Sequence, residues 1–510
     1  MKNIVEIEEM ITIPKSEYEL LKQQVAWLME QLKLSKKQQF GVSSEKSEYG
    51  QLSLFGDEEQ ITFDNISESE TKEIKAYTRR KSGCVGIDKL PKNLPVEIIE
   101  HRLPESEQNC PDCDRRLHVI GNETRKELKF IPAKAVIINH VTYTYACRNC
   151  EKTSDHVPVI KAKSPNPVIK GSFASPEAVA HIAYEKFVMG SPLYRQQQDW
   201  ERKGIPLSRQ SMSNWLNRVA IDWLSPIYDR MHQLLCFKEV AHADETTVQV
   251  LHEPDKSAQS KSYMWLYRTS GEAKNPIILY EYQPSRAGEH PAKFLENFRG
   301  YLHTDGLAAY HCKLHDKIIV VGCWAHARRK FDDALKVLSK KSRKNSPIAD
   351  ALLQIGKLYK LEKEFQNLSP EDNFKARFEA RQGRSKPLVD AFFSWCESQS
   401  VHGLLATAVN YCLSQRVWLE HYLIDGRLEI DNNRAERSIK PFVIGRKNWL
   451  FSNSIEGVRS SAVFYSIIET AKENNVNLFE YLAFVFRNAP NLDLTNLNYV
   501  DKLLPWNFNS

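Results

Sequence analysis

Apolar positions recur at alternating three- and four-residue steps through Tyr18, Leu21, Val25, Leu28 and Leu32. This is an a/d seam of about two heptads, and Glu17, Lys22, Gln24 and Glu30 flank it. The pattern predicts one helix ended by Gly41. Two readings are open: an amphipathic helix packed on its own protein, or a coiled coil that dimerises. Asp57–Glu73 then turns acidic and polar, as a linker does, and a small basic cluster follows at Lys75, Arg79, Arg80 and Lys81. Val136, Ile138, Val141, Tyr143 and Tyr145 lie in a β-rich stretch able to form a hairpin.

From residue 175 the period becomes helical. Ser175 caps a helix with Pro176 at its first position. A second helix covers about Leu193–Lys203 and stops at Gly204-Ile205-Pro206; Ser208 caps a third. In the third, Met212, Trp215, Leu216 and Val219 form one face, and Arg209, Gln210, Ser213, Asn214 and Asn217 the other. At Lys238 the pattern changes to strands. Val240–Val250, Ser262–Thr269 and Pro276–Tyr282 are followed by a helix near Pro291–Phe298. Strands at Tyr301–Thr304 and Lys317–Val321 follow, then a helix near Ala325. This succession is the order of an RNase H-like domain. The segment up to Asp425 is helical and charged, with a basic loop at Lys336–Lys344, and Ser460–Ala471 reads as a packing helix with Phe464, Ile467, Ile468 and Ala471 on one face.

A chain of 510 residues exceeds one core and calls for several domains. Apolar content of 42% and charged content of 26% are those of a globular protein. Apolar runs as short as Ile318–Val321 and Leu482–Phe486 fall far below the ~20 residues of a membrane span. Met1–Met10 lacks the pattern of a signal peptide, so the expected location is cytoplasmic, at the nucleoid, with no membrane partner. There, ten cysteines favour metal binding over disulfides. A net charge of +6 is diluted over the chain and says less than local clusters do.

Cys110-Pro-Asp-Cys113 and Cys147-Arg-Asn-Cys150 supply four thiolates, enough for one tetrahedral structural Zn²⁺. The 33 residues between the knuckles exceed the usual ribbon spacing. His118, His140 and His156 read as surface or packing residues. The helices around Gly204 have the pattern of a helix-turn-helix. Its third helix carries side chains that reach base edges: Arg209, Gln210, Ser213, Asn214 and Asn217.

In the RNase H-like order the first strand lies beside the fourth, which makes Asp244 and Asp305 neighbours although 61 residues apart. Two such charges call for a cation between them, and a pair of Mg²⁺ ions about 3.5–4 Å apart provides it. Strand alternation sets Asp244 and Glu245 on opposite faces; Asp244 is the expected ligand and Glu245 has a secondary role. Glu436, in the first turns of a helix capped by Asp431 or Asn432, is the candidate third ligand. The alternative is an exposed glutamate paired with Arg437 or Lys440.

At these residues the chain resembles the insertion sequence 66 family of bacterial transposases along nearly its whole length. The matching pieces are Phe40–Lys46, the two CxxC knuckles and Leu207–Trp215. They continue with Asp244-Glu-Thr246, Thr304-Asp-Gly306, Cys323–Arg329, Asp431–Arg437 and Gly445–Trp449. The resemblance implies a DDE transposase whose catalytic triad is Asp244, Asp305 and Glu436, with two Mg²⁺ (or Mn²⁺) per active site and one structural Zn²⁺. Cys323 and His326 match a Cys-x-x-His string of many such enzymes, either packing beside the site or serving catalysis. Arg434, Arg437, Lys440, Arg446 and Lys447 form a basic surface suited to DNA phosphates.

The implied activity is cleavage of a phosphodiester at the element's end, followed by attack of the new 3′-hydroxyl on target DNA. The implied partners are the terminal repeats, target DNA, a second copy of the chain on DNA, and small accessory proteins of the same element. Two alternatives are a zinc-containing DNA-binding regulator and an RNase H-like nuclease without joining activity. The expected fold is multidomain α/β. A leucine-rich helix or coiled coil (1–55), a polar linker (56–95), a zinc ribbon-like module (96–165) and a helix-turn-helix region (170–235) come first. An RNase H-like core (236–451, with a helical insertion at about 332–425) and a C-terminal helical segment (452–510) follow.

Overall fold

The computed structural model describes residues 14–40, 135–146, 159–365, 373–399 and 402–508. The chain divides into two units, Glu58–Ser164 and the remainder. Cys110, Cys113, Cys147 and Cys150, His118, His156, and the basic cluster at Lys75–Lys81 lie outside the described residues. In the smaller unit β1 (Thr144–Ala146) pairs antiparallel with β2 (Val159–Lys161). Among the described residues, only the end of the expected Val136–Tyr145 hairpin is a strand, and the partner described for it lies beyond the second knuckle. His140 is exposed.

The larger unit is built on β3 (Val240–His252), which pairs antiparallel with β4 (Lys261–Thr269) and parallel with β6 (Gly300–His303). β5 (Ile278–Gln283) and β7 (Ile318–Val321) complete the order β5-β4-β3-β6-β7. A further short strand, β8 (Ser452–Ser454), pairs with the far end of β3 through Val250 and His252. The sheet therefore takes up residues that periodicity alone reads as C-terminal helix, because three residues are too few to show a period of two.

Among the described residues the helices ahead of the sheet begin with α1 (Lys15–Phe40), α2 (Pro176–Phe187), α3 (Leu193–Arg202) and α4 (Arg209–Val219). The Ser175 hydroxyl accepts from Ala178 N–H and Ser208 from Ser211 N–H, so both expected caps form. A π-helical turn, Ala220–Leu224, joins α4 to α5 (Ser225–Cys236). The α1 seam residues Tyr18, Leu21, Val25, Leu28 and Leu32 are 47–58% exposed. The helix docks instead through buried Leu34 and through Glu30, which accepts from Leu404 N–H at 2.9 Å.

Between β5 and β7 lie two short helices, α6 (Glu289–Phe294) and α7 (Ala309–Cys312). After β7 the chain enters α8 (Trp324–Val337), α9 (Pro347–Phe365), α10 (Asn373–Ala380), α11 (Lys386–Ser398) and α12 (Gly403–Ser414). Trp324, Phe331, Ile355, Phe392 and Val409 share one core here. A second core joins the sheet to α2, α4, α5, α13 (Asn433–Trp449), α14 (Ile455–Glu473) and α15 (Leu478–Asn488).

Helix α14 is buried on nearly every side and covers the outer strand β5. Ser466 Oγ accepts from Tyr280 N–H at 2.8 Å, and Thr470 Oγ1 accepts from Ile278 N–H at 2.9 Å. Side-chain hydroxyls thus satisfy edge groups that would otherwise invite another strand. No described helix is long and apolar enough to cross a membrane.

Candidate active site

The register of β3 and β6 sets His242 beside His303. Asp244 and Asp305 each lie two positions further along, so the parallel pairing carries both to the same end of neighbouring strands. Asp244 stays inside β3, where its Oδ1 accepts from Glu245 N–H at 2.8 Å. Asp305 follows the end of β6 in a tight turn: its Oδ1 accepts from Leu307 N–H at 3.0 Å. Glu436 stands in the first turn of α13, with its N–H bonded to Asn432 O at 3.3 Å.

Burial pushes the Asp244 carboxyl well above the usual aspartate range, and the charges of Glu245, Asp305 and Glu436 push it further the same way. The structure therefore brings the three sequence-selected carboxylates into one electrostatic neighbourhood. Among the described residues, however, no three His, Cys, Asp or Glu side chains are grouped as a ready metal site. Glu436 is held by Arg329, whose Nη2 donates to both carboxylate oxygens at 3.0 and 3.2 Å, and His326 Nε2 stands 3.6 Å away. Its ion pair is thus with a cation from α8.

Glu245 is nearly buried and accepts from Arg286 Nε at 2.9 Å and from the Tyr310 hydroxyl at 3.0 Å. Burial raises its carboxyl, and Asp305 adds to the rise. Cys323 is buried at the start of α8, and its Sγ accepts from Asn432 N–H at 3.1 Å. Burial pushes this thiol far up, so it stays protonated at neutral pH and packs against the loop before α13.

Sequence reasoning passed over the polar layer behind the carboxylates. His242 and His303 stack at 4.4 Å, both fully buried. Burial drives His242 down to about 4 and His303 well below its usual value, so both are neutral at pH 7. His303 Nε2 accepts from Glu429 N–H at 3.3 Å, and Glu429 binds Arg434 at 2.7 Å. The only signal in the chain was two histidines at equivalent strand positions.

A model of the "Transposase IS66 family" matches residues 171–460, more than half the chain. The chain belongs to the IS66 transposase family. Three further models of that family match: a zinc-finger binding domain at 107–151, "Transposase C of IS166 homeodomain" at 27–99 and a C-terminal element at 466–506. The uncharacterized protein y4jD of Sinorhizobium fredii is 32% identical over 84% of this chain and 83% of its own length. Its relative y4qI, of the same organism, is 30% identical over 95% of this chain and 89% of its own length.

In this IS66-family chain the candidate DNA contacts divide. On α4, Arg209, Gln210 and Asn214 are exposed, and Ser213 and Asn217 are half-buried. Gln210 Nε2 donates to Asn214 Oδ1 at 2.9 Å, and the Arg209 guanidinium lies over the Tyr194 ring. On α13, Arg437 and Lys447 are exposed. Arg434 is committed to Glu429, while Arg446 donates to the hydroxyls of Thr246 and Thr247 on β3 at 3.3 and 3.2 Å. These two guanidiniums hold the site's own elements together.

Proposed function

We propose that this IS66-family transposase is a DDE-type polynucleotidyl transferase with an RNase H-like core, and that Asp244, Asp305 and Glu436 hold its divalent ions. The observation that carries this reading is the shared level of Asp244 and Asp305 on parallel strands, with Glu436 close enough to raise the Asp244 carboxyl. The order β5-β4-β3-β6-β7, antiparallel on one side of β3 and parallel on the other, supports the RNase H-like assignment.

The donor set fits hard cations: three carboxylates offer oxygen ligands, and one of them is destabilised by its like-charged neighbours. Bound there, Mg²⁺ or Mn²⁺ would stabilise charge on the attacking and leaving oxygens. The chain's own part is to hold these oxygens on rigid elements and to exchange Arg329 for the ion at Glu436. In the first reaction the oxygen of water bonds to phosphorus as the P–O3′ bond breaks, which leaves a 3′-hydroxyl and a 5′-phosphate. In the second, that 3′-oxygen bonds to a target phosphorus and displaces the target's 3′-oxygen. In this reading Arg437 and Lys447 of α13, both exposed, meet DNA phosphates, and α4 reads base edges. The zinc-finger match supports one structural Zn²⁺ on Cys110, Cys113, Cys147 and Cys150.

The test is strand transfer with pre-cut element ends, alongside cleavage of uncut ends. A transposase performs both. A nuclease without joining activity performs only the second, and a regulator neither.

A further inference from the structure

Asn432 stands where three elements meet. Its Nδ2 donates to the carbonyl of Ala243, the residue before Asp244, at 2.8 Å. With Nδ2 committed to a carbonyl, Oδ1 is the atom 2.9 Å from His242 Nδ1, and the imidazole donates to it. The backbone N–H of Asn432 donates to Cys323 Sγ at 3.1 Å, at the start of α8. Its backbone carbonyl accepts from Glu436 N–H at 3.3 Å. Asn432 and Cys323 are each 1% exposed and His242 is fully buried, so water offers no substitute for these bonds.

The chemistry of each position explains its residue. Only a side chain with both a donor and an acceptor can bridge the Ala243 carbonyl and a donating imidazole; aspartate lacks the donor and leucine lacks both. The thiol accepts an N–H that would otherwise be orphaned in the apolar surroundings of Trp324. The next residue repeats the tie: Trp324 N–H donates to Ile430 O at 3.2 Å. The loop that starts α13 is thus fastened to β3 on one side and to α8 on the other.

We propose that Asn432 is a positioning residue that sets Glu436 against Asp244, with Cys323 as its anchor on α8. The proposal rests on the reading of Asp244, Asp305 and Glu436 as holders of divalent ions. It assigns the Cys323 thiol an acceptor's role and neither nucleophilic nor ligand chemistry. The sequence string Asp431-Asn432-Asn433 then has a division of labour. Asp431 Oδ1 caps Asn433 N–H at 3.0 Å, and Asn432 faces inward to the strand.

The experiment uses the full chain with four variants: Asn432→Ala, Asn432→Asp, Cys323→Ala and Cys323→Ser. Two quantities are read on protein shown by circular dichroism to be folded. They are Mn²⁺ affinity without DNA, by electron paramagnetic resonance of the free ion, and the single-turnover rate of strand transfer at saturating pre-cut ends. Asn432→Ala should lower both by about 10–100-fold, the usual cost of losing a group that orients a metal ligand. Affinity for the ends should stay within about threefold, since no DNA contact is removed. Asn432→Asp, which keeps the acceptor but loses the donor to Ala243, should not rescue.

Cys323→Ala should lower both quantities, and Cys323→Ser, whose hydroxyl accepts the same N–H, should restore most of the loss. A folded Asn432→Ala with wild-type Mn²⁺ affinity and rate overturns the proposal. If Asn432→Ala does not fold, the Cys323 pair decides: equal behaviour of alanine and serine overturns it. Asp244→Asn is the control. Should that variant also bind Mn²⁺ and cleave as wild type does, the metal reading itself has failed, which the Asn432 result alone would not reveal.

Discussion

The Arg329 guanidinium lies across Glu436, with Nη2 donating to both oxygens at 3.0 and 3.2 Å. A cation already satisfies the carboxylate, so an incoming divalent ion must displace it. Arg329→Gln should therefore tighten Mn²⁺ binding several-fold, where a loss of one opposing charge of about 1 kcal/mol corresponds to roughly fivefold. Glu436→Gln should weaken it. Titration of both variants without DNA checks the pair; weaker binding in Arg329→Gln would show that the arginine supports the site and does not compete for it.

Asp244→Asn, Asp305→Asn and Glu436→Gln each remove a charge while keeping nearly the same shape. Folding and end binding should persist. Cleavage and strand transfer should fall together by several orders of magnitude, because in the proposed function one set of ions serves both steps. Mn²⁺ should replace Mg²⁺, and Ca²⁺, with looser geometry, should support binding but little chemistry. Near-normal cleavage by Glu436→Gln beside two inactive aspartate variants would move the third ligand to Glu429 or Asp431.

Arg381 is fully buried and ties the helical insertion to the loop that leads into the site. It pairs with Glu362 at 2.6 and 2.9 Å and donates to the carbonyls of Tyr422, Asp425 and Leu428. Arg381→Met leaves that carboxylate without its cation and takes a donor away from each of the three carbonyls, of which Asp425 O keeps the Leu428 N–H. The expected loss is about 3–5 kcal/mol, read as a lower denaturation midpoint at unchanged slope. A change under about 1 kcal/mol would show that water replaces the guanidinium.

Burial lowers His242 to about 4 from the 6.5 of an unperturbed histidine. Between those values the unfolded chain binds a proton that the folded chain refuses, so this group's stabilisation is full above pH 6.5 and declines as pH falls toward 4. Asp244 and Asp431, whose carboxyls burial raises, titrate with the opposite sign, so the informative quantity is a difference. His242→Asn keeps a donor toward Asn432 and removes the titration. Its melting temperature should fall less than that of the wild type between pH 6.5 and 4, and parallel profiles would contradict the assignment.

In the proposed function α4 reads the ends of the element. Arg209→Ala with Asn214→Ala should narrow the gap between specific and non-specific DNA binding, each good base contact contributing about 1–3 kcal/mol. Competition binding with element ends against unrelated duplex measures it. Full preference in the double variant would remove α4 from the role.

Local chemistry was legible in the chain itself. Hydroxyl caps at Ser175 and Ser208, the span of β3 and the spacing of the cysteines inside the zinc-finger match are written within a few residues, so period and composition reveal them. The nearness of Asp244 to Asp305 was legible too, because the strand order of the fold puts the first strand beside the fourth. What only the tertiary structure decided are contacts with no period. Arg329 reaches Glu436 across 107 residues and Asn432 reaches Ala243 across 189. Ser452–Ser454 joined the sheet although three residues carry no pattern. Arg434 and Arg446 looked like a DNA-binding surface by charge alone, yet each is bonded to groups of its own protein. A side chain's charge is a property of the sequence, but its partner is chosen by which elements packing brings within about 3 Å.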